Sequence, residues 1–170
     1  RAAMALAALS GDEQCIIFSQ LCNVLDPGVA VAFGSASNEL WALTQARRQQ
    51  LRADHEAATA LGRKAGLRSC KELREAKKVE WHKKGLTAAD LATLGTLGSV
   101  LPALEMLTLI EPTAGPDGVH QLAEKLGAGA LPALALLNLG DVYVGDAGAS
   151  ALAAALGRGA LPRLKLLSLI

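Results

Sequence analysis

Aromatic residues are scarce in this sequence of 170 residues. It contains two Phe, two Trp and one Tyr, although 51% of its residues are hydrophobic. The interior must therefore be filled mainly by Leu, Ala and Val, which suits thin repeated layers and favours helix. A chain of this length and apolar content can bury enough surface to fold, which excludes a mainly disordered protein.

Cysteines are also few, and they do not form a recognisable pattern. Cys15, Cys22 and Cys70 cannot all pair, and none has the spacing of a zinc site. Cys15 and Cys22 are seven residues apart, which on a helix places both thiols on one face as small core residues. This usage predicts a reducing compartment, the cytoplasm or nucleus.

Long hydrophobic runs are absent. The first apolar run, residues 2–9, is too short to cross a bilayer, which needs about 20 residues. It is either the end of a processed targeting segment or, as we favour, the first turns of a helix. No membrane span is predicted, and an organelle reached by a removed targeting segment is the alternative location.

Motifs that carry chemistry are missing as well. His55, His82 and His120 are far apart in the sequence, and no phosphate-binding loop or Gly-x-Ser-x-Gly is present. Residues 126–132, LGAGALP, have two glycines of a dinucleotide loop but follow a helix and precede a strand, the reverse of the required order. We therefore predict a protein that is not an enzyme and holds no cofactor or metal.

What the sequence does contain is a repeat. A Leu-Pro step occurs at 101–102, 131–132 and 161–162, and residues 101–130 are identical to residues 131–160 at fourteen positions. Within a unit, Leu137 and Leu139 alternate with other residues as in a strand, whereas Leu152 and Leu156 are four apart as in a helix. Each unit is therefore predicted to be a strand, a turn and a helix, which Gly157 ends in the second copy.

A degenerate earlier copy precedes these units. Val79 and Trp81 fit the same ladder 28 residues upstream of Leu107 and Leu109. Thr87-x-x-Asp90 then has the form of a capping box that opens a helix.

The pattern Leu-x-x-Leu-x-Leu at 104/107/109, 134/137/139 and 164/167/169 resembles leucine-rich repeats of the ribonuclease-inhibitor type. The resemblance implies an α/β solenoid over residues 76–170, with parallel strands on one side and helices on the other. Units start near 76, 104 and 134, and an incomplete unit starts at 164. Because no helix follows to cover its leucines, we expect another protein or further repeats to cover residues 161–170.

Residues 12–43 read as three short helices, with Asp12 capping the first and Ser37 the third. Their sequence, which includes IIFSQLCNVLDPG, resembles an F-box, and the complete arrangement resembles F-box-like repeat proteins predicted in unicellular algae. The resemblance implies an all-α F-box-like region over residues 1–75 that binds a Skp-type adaptor of cullin ubiquitin ligases through residues 12–43. The implied contact residues are Ile17, Phe18, Leu21, Leu25 and Pro27. The alternative is an N-terminal cap that seals the first repeat.

Positive charge is concentrated in one segment. Residues 41–90 hold twelve Lys and Arg against six Asp and Glu, whereas the rest of the chain holds five against ten. Pairs such as Arg47-Arg48 have the chemistry to contact phosphate, but acidic residues intervene and aromatic stacking residues are nearly absent. A solvated helix face is predicted rather than a nucleic-acid site.

The better functional candidate is the outward side of the predicted strands. If the ladder leucines point inward, two columns face out: Met106, Leu136 and Leu166, and Thr108, Asn138 and Ser168. An exposed apolar column is typical of a contact site, or is masked by further protein. We therefore predict a protein-interaction module, either a substrate-recognition subunit of a cullin-type ubiquitin ligase or a scaffold or linker subunit of a large assembly.

Overall fold

The computed structural model describes residues 8–110 and 113–169. Within them, seven α-helices and four strands form a mixed α/β structure. The chain divides into two compact units, the first ending at Glu56 and the second beginning at Ala57.

The first unit is helical. Its elements are α1 (Gly11–Leu21), α2 (Gly28–Gly34) and most of α3 (Asn38–Lys64), which continues past the boundary between the units. Phe18 from α1, Ala30 from α2 and Leu51 from α3 form its buried core. This core is small because the unit has few large apolar side chains to contribute.

Two details of these helices differ from the sequence prediction. Asp12 does not cap α1; Ser10 does, since its side chain accepts from the backbone N–H of Glu13 at 3.3 Å and its own N–H donates to the Glu13 carboxylate at 2.8 Å. The third helix is not short but has 27 residues, because no Gly or Pro interrupts it before Gly62. Ser37 caps it as predicted, accepting from the N–H of Leu40 at 3.1 Å.

The second unit alternates helices and strands. After α4 (Cys70–Glu75), β1 (Lys78–His82) leads to α5 (Ala88–Thr96) and a 3-10 turn (Leu97–Ser99). Then follow β2 (Met106–Ile110), α6 (Gly115–Lys125), β3 (Leu136–Asn138), α7 (Gly145–Gly157) and β4 (Leu166–Ser168). The predicted alternation of strand and helix is confirmed.

The four strands form one parallel sheet in chain order, β1-β2-β3-β4. Leu107 is paired with Val79 and Leu137, and Leu137 with Leu167, so the predicted ladder is in register. The inward side chains of the first three strands are almost completely buried; they are Val79, Trp81, Leu107, Leu109, Leu137 and Leu139. Aliphatic layers therefore fill one continuous interior between strands and helices.

Helix α5 starts at the predicted capping box. The Thr87 side chain accepts from the N–H of Asp90, and the Asp90 carboxylate accepts from the N–H of Thr87 at 2.7 Å. Partial burial alone would raise the pKa of Asp90, but Lys64 Nζ, 2.7 Å from the carboxylate, and the Thr87 hydrogen bonds outweigh it and lower the pKa. Asp90 is therefore ionised at neutral pH and favours the positive end of the helix.

Neighbouring helices approach closely where glycine removes the side chain. A Cβ at Gly95 of α5 would lie 2.6 Å from Lys125 Cβ and 2.7 Å from the Leu122 carbonyl oxygen of α6. At Gly148 of α7, a Cβ would lie 3.2 Å from the side chain of Val119. These contacts set the spacing of the helices along the stack.

The turns after the helices form a second line of hydrogen bonds between units. Gly157 is the last residue of α7, but the left-handed residues are Gly159 (φ 83°) and Leu161 (φ 54°), which corrects the assignment of the helix end to Gly157 alone. Leu131 N–H donates to the Gly98 carbonyl at 2.7 Å, and Leu161 N–H donates to Ala130 at 3.0 Å. Successive units are thus joined at the turns as well as at the strands.

In the part of the chain that the structure describes, no helix combines the length and apolar character needed to cross a membrane.

Candidate functional site

The first residues of the four strands form a column on the outward side of the sheet. Lys78, Met106, Leu136 and Leu166 are successive partners in the parallel register. Met106 and Leu136 are partly exposed, and 53% of Leu166 is exposed. The apolar column expected from the sequence is present, and Lys78 extends it onto β1. We call this side of the sheet the strand face.

A second column lies two residues further along the strands. It consists of Glu80, Thr108, Asn138 and Ser168. Asn138 and Ser168 are partly exposed, but Thr108 is only 6% exposed, so the expectation that it faces solvent is wrong. Its short side chain stands between those of Glu80 and Asn138 on the adjacent strands, and is covered by its neighbours.

The residues just before the strands complete a groove across the sheet. Glu105, Ala135 and Lys165 continue the backbone ladder: each donates an N–H to the carbonyl one unit earlier, at 2.8 to 2.9 Å. Together with the first column they line a cavity of about 440 Å³, open to solvent. Its lining residues are Lys77, Lys78, Glu105, Met106, Ala135, Leu136, Lys165 and Leu166. We call this cavity the strand groove.

Charge is distributed unevenly around the strand groove. On the β1 side, Lys77 Nζ lies 3.4 Å from Glu105 Oε1, and Lys78 Nζ lies 3.0 Å from Glu80 Oε1. At the other end, Lys165 has no carboxylate within ion-pair distance among residues 8–110 and 113–169. The groove therefore combines an apolar floor with cations at both ends.

Apolar surface continues at β4, the edge strand. Leu164 and Leu167 are half-buried, whereas 44% of Leu169 is exposed. Ile170 lies outside the described residues. The interior leucines of this layer are thus less covered than Leu107 and Leu137.

The five residues predicted to contact an adaptor occupy the first unit in two different ways. Phe18 (0% exposed) and Leu25 (6%) belong to the buried interior, whereas Ile17, Leu21 and Pro27 are half-buried. Phe18 and Leu25 can therefore support a contact surface only from beneath.

Sequence reasoning missed other apolar residues that are exposed in the first unit. Ile16 is 62% exposed, Val29 57%, Trp41 48% and Leu43 44%. Helical periodicity marked Ile16 as apolar but did not show which side of α1 meets the core; the signal that does so is the position of Phe18, four residues after buried Gln14.

Arg48 is a buried cation, 4% exposed, and it is not available to bind phosphate. Its guanidinium donates to Thr44 Oγ1 at 3.0 Å and to the Trp41 carbonyl at 2.8 Å, and lies 3.5 Å from the centre of the Trp41 ring. No ion pair of Arg48 exists within the described part of the chain. Neutral acceptors and the aromatic ring take the place of a counter-ion.

The thiols are free and half-buried. Burial raises the pKa of Cys22, and the nearby Arg47 guanidinium only partly offsets this. Cys22 packs against the core of the first unit, as expected for a small apolar residue, and is protonated at neutral pH.

His, Cys, Asp and Glu side chains do not gather into a metal-binding group of three anywhere in residues 8–110 and 113–169. The histidines lie in different elements: His55 on α3, His82 at the end of β1 and His120 on α6. His55 contacts the Val24 carbonyl at 2.6 Å, and His120 lies 3.7 Å from Glu124.

No protein-family model, no curated protein and no solved structure matches the chain.

Proposed function

We propose that the chain is a non-enzymatic protein-interaction module that captures a partner on the strand face. The observation that carries the proposal is the partly exposed column Met106, Leu136 and Leu166, held in register by a parallel sheet. Apolar side chains at equal positions of neighbouring strands lie about 4.8 Å apart, so they present one continuous surface. Such a surface is typical of contact sites.

We further propose that the second unit is a leucine-rich repeat solenoid. The parallel order of the strands, the repeat offset of 30 residues between β2 and β3 and between β3 and β4, and the packing of successive helices support this interpretation. In such an array the strands supply a rigid display surface, because each layer is fixed by its neighbours.

The strand face is tested by charging its centre. Replacing Leu136 with Asp places a carboxylate on a partly exposed side chain, so the free energy of unfolding should change by less than about 1 kcal/mol. Capture of partner proteins on the immobilised chain should fall at least about tenfold, since a buried unpaired charge opposes association. Thermal unfolding and capture are measured together. Equal loss of stability and capture, or capture left intact, would contradict the proposal.

The first specific role is substrate recognition in a cullin-type ubiquitin ligase. It is supported by the three helices of the first unit and by Ile17, Leu21 and Pro27, which remain partly accessible. Co-purification of the full chain with a Skp-type adaptor is the expected result. Substitution of the exposed Ile16 by Asp should reduce it, while Gln20→Asp, exposed on the same helix, should not. An adaptor that does not bind the unaltered chain would exclude this role.

The second role is that of a scaffold or linker subunit in a large assembly. Exposed Leu166 and Leu169 on the edge strand favour it, because an adjoining protein would bury both. Sedimentation tests it: the chain should self-associate or bind an assembly subunit, and Leu169→Lys should weaken that association. A monodisperse monomer that binds no other subunit would contradict this role.

We place either role in the cytoplasm or nucleus, in keeping with three free thiols. An organelle reached by a removed targeting segment is the alternative, which localisation of the tagged full-length protein would distinguish.

A further inference from the structure

The strand groove differs from a general apolar surface in the order of its chemistry. Lys77 and Lys78 stand on the β1 side, Met106 and Leu136 form the middle, and Lys165 stands beside Leu166 at the β4 side. An occupant that matches this order needs anionic groups at two ends and an apolar group between them.

The cations are not fully balanced. Three lysines and one glutamate, Glu105, line the groove. Lys77 interacts with Glu105 at 3.4 Å through side chains that are 76% and 57% exposed, a weak solvated pair that a ligand can replace. Lys165 faces no carboxylate among the described residues. The groove is therefore complementary to an acidic partner rather than a basic one.

The width of the sheet sets the length of the occupant. From β1 to β4 there are three spacings between strands, about 14 Å in total. Extended chain advances about 3.3 Å per residue, and alternate side chains point the same way. Five extended residues therefore bring their first, third and fifth side chains to the groove, roughly 13 Å from end to end.

We propose that the strand groove binds an extended peptide segment of a partner with the pattern acidic-x-apolar-x-acidic. The central side chain packs on Met106 and Leu136, one carboxylate lies by Lys77 and Lys78, and the other lies by Lys165. This proposal rests on the proposed function of the strand face and specifies the chemistry of the partner. It differs from a nucleic-acid site because the floor of the groove is apolar and has no aromatic residue to stack on a base.

Fluorescence anisotropy with labelled peptides tests the proposal on the full chain. The probe has a Glu-Ser-Leu-Ser-Glu core between Gly-Ser flanks, and two matched peptides carry Lys-Ser-Leu-Ser-Lys or Glu-Ser-Ser-Ser-Glu cores. The acidic Leu peptide should bind about tenfold more tightly than the Ser peptide, since a buried leucine contributes roughly 1.5–3 kcal/mol. The Lys peptide should bind more weakly still, and added salt should weaken the acidic Leu peptide.

Matched variants locate the binding. Lys165→Glu should weaken the acidic Leu peptide several-fold, whereas Lys71→Glu, an exposed lysine on α4 with the same change in net charge, should not. Equal affinity for the three peptides, equal effects of the two variants, or tighter binding of a fatty acid such as decanoate than of the peptide would overturn the proposal.

The peptide experiment and the partner experiment fail separately. If Leu136→Asp abolishes partner capture but the acidic Leu peptide does not bind, the strand face is a contact surface of different chemistry, and only this inference is lost. If Leu136→Asp leaves partner capture intact, the proposed function itself is lost.

Discussion

At the residue scale, Arg48 illustrates how a charged side chain can become structural. Its fork reaches Thr44 Oγ1 and the Trp41 carbonyl while its plane covers the Trp41 ring, so one side chain makes three contacts within α3. An ammonium group lacks both the fork and the flat surface needed for all three. The basic pair Arg47-Arg48 is therefore divided between an exposed residue and a buried one.

Arg48→Lys should lower the free energy of unfolding by roughly 1–3 kcal/mol, because the Trp41 carbonyl or the Thr44 hydroxyl loses its donor inside the protein. Urea denaturation followed by circular dichroism measures the change. Arg52→Lys on the exposed side of the same helix is the control and should have almost no effect. A similar midpoint for both variants would show that the fork is unimportant.

At the element scale, the helices are spaced by missing side chains. Gly95 lies in the interior of α5, where alanine normally favours helix by up to about 1 kcal/mol. Here a methyl group would meet Lys125 Cβ at 2.6 Å and the Leu122 carbonyl at 2.7 Å. The contact with the backbone cannot be relieved by rotating a side chain.

Gly95→Ala should therefore destabilise the protein by roughly 1–3 kcal/mol despite its better helix propensity. Gly157→Ala is the matched control, since no atom lies within 4 Å of its added Cβ and its φ is not left-handed. That variant should be neutral or slightly stabilising. Thermal unfolding compares the two, and a stabilised Gly95→Ala protein would mean that α5 and α6 can separate at little cost.

Local patterns predicted those elements whose cause is local. The register of Val79 with Leu107 and the Thr87-Asp90 capping box both follow from spacing within a few residues. The burial of Thr108 depends on the side chains of two other strands, which spacing along one strand cannot show. The Ser10 cap was detectable, since Ser10-x-x-Glu13 is itself a capping-box pattern.

At the scale of the whole molecule, the interior of the second unit is a stack of leucine layers, each covered by the next. Leu137 has a paired strand on both sides and is 2% exposed, whereas Leu167 lies on the edge strand and is partly exposed. The same side chain at the same position of the unit therefore contributes differently according to its layer.

Leu137→Ala should cost roughly 2–5 kcal/mol, because the cavity it leaves is enclosed by neighbouring layers. Leu167→Ala should cost less than half as much, since its position is already partly open to water. Denaturant midpoints of the two variants, measured at one protein concentration, give the comparison. Equal losses would indicate that the stack does not carry the stability of this unit.

The hydrogen bonds of Leu131 and Leu161 give the stack a further property. Neighbouring units are fastened along two separate lines, one at the strands and one at the turns after the helices. Both lines advance by the same 30 residues, from Met106 to Leu136 and from Leu131 to Leu161. A gene that duplicates or deletes one such unit keeps both fastenings aligned, whereas any other change in length breaks at least one. Growth by whole units is thus the route that this architecture leaves open to evolution.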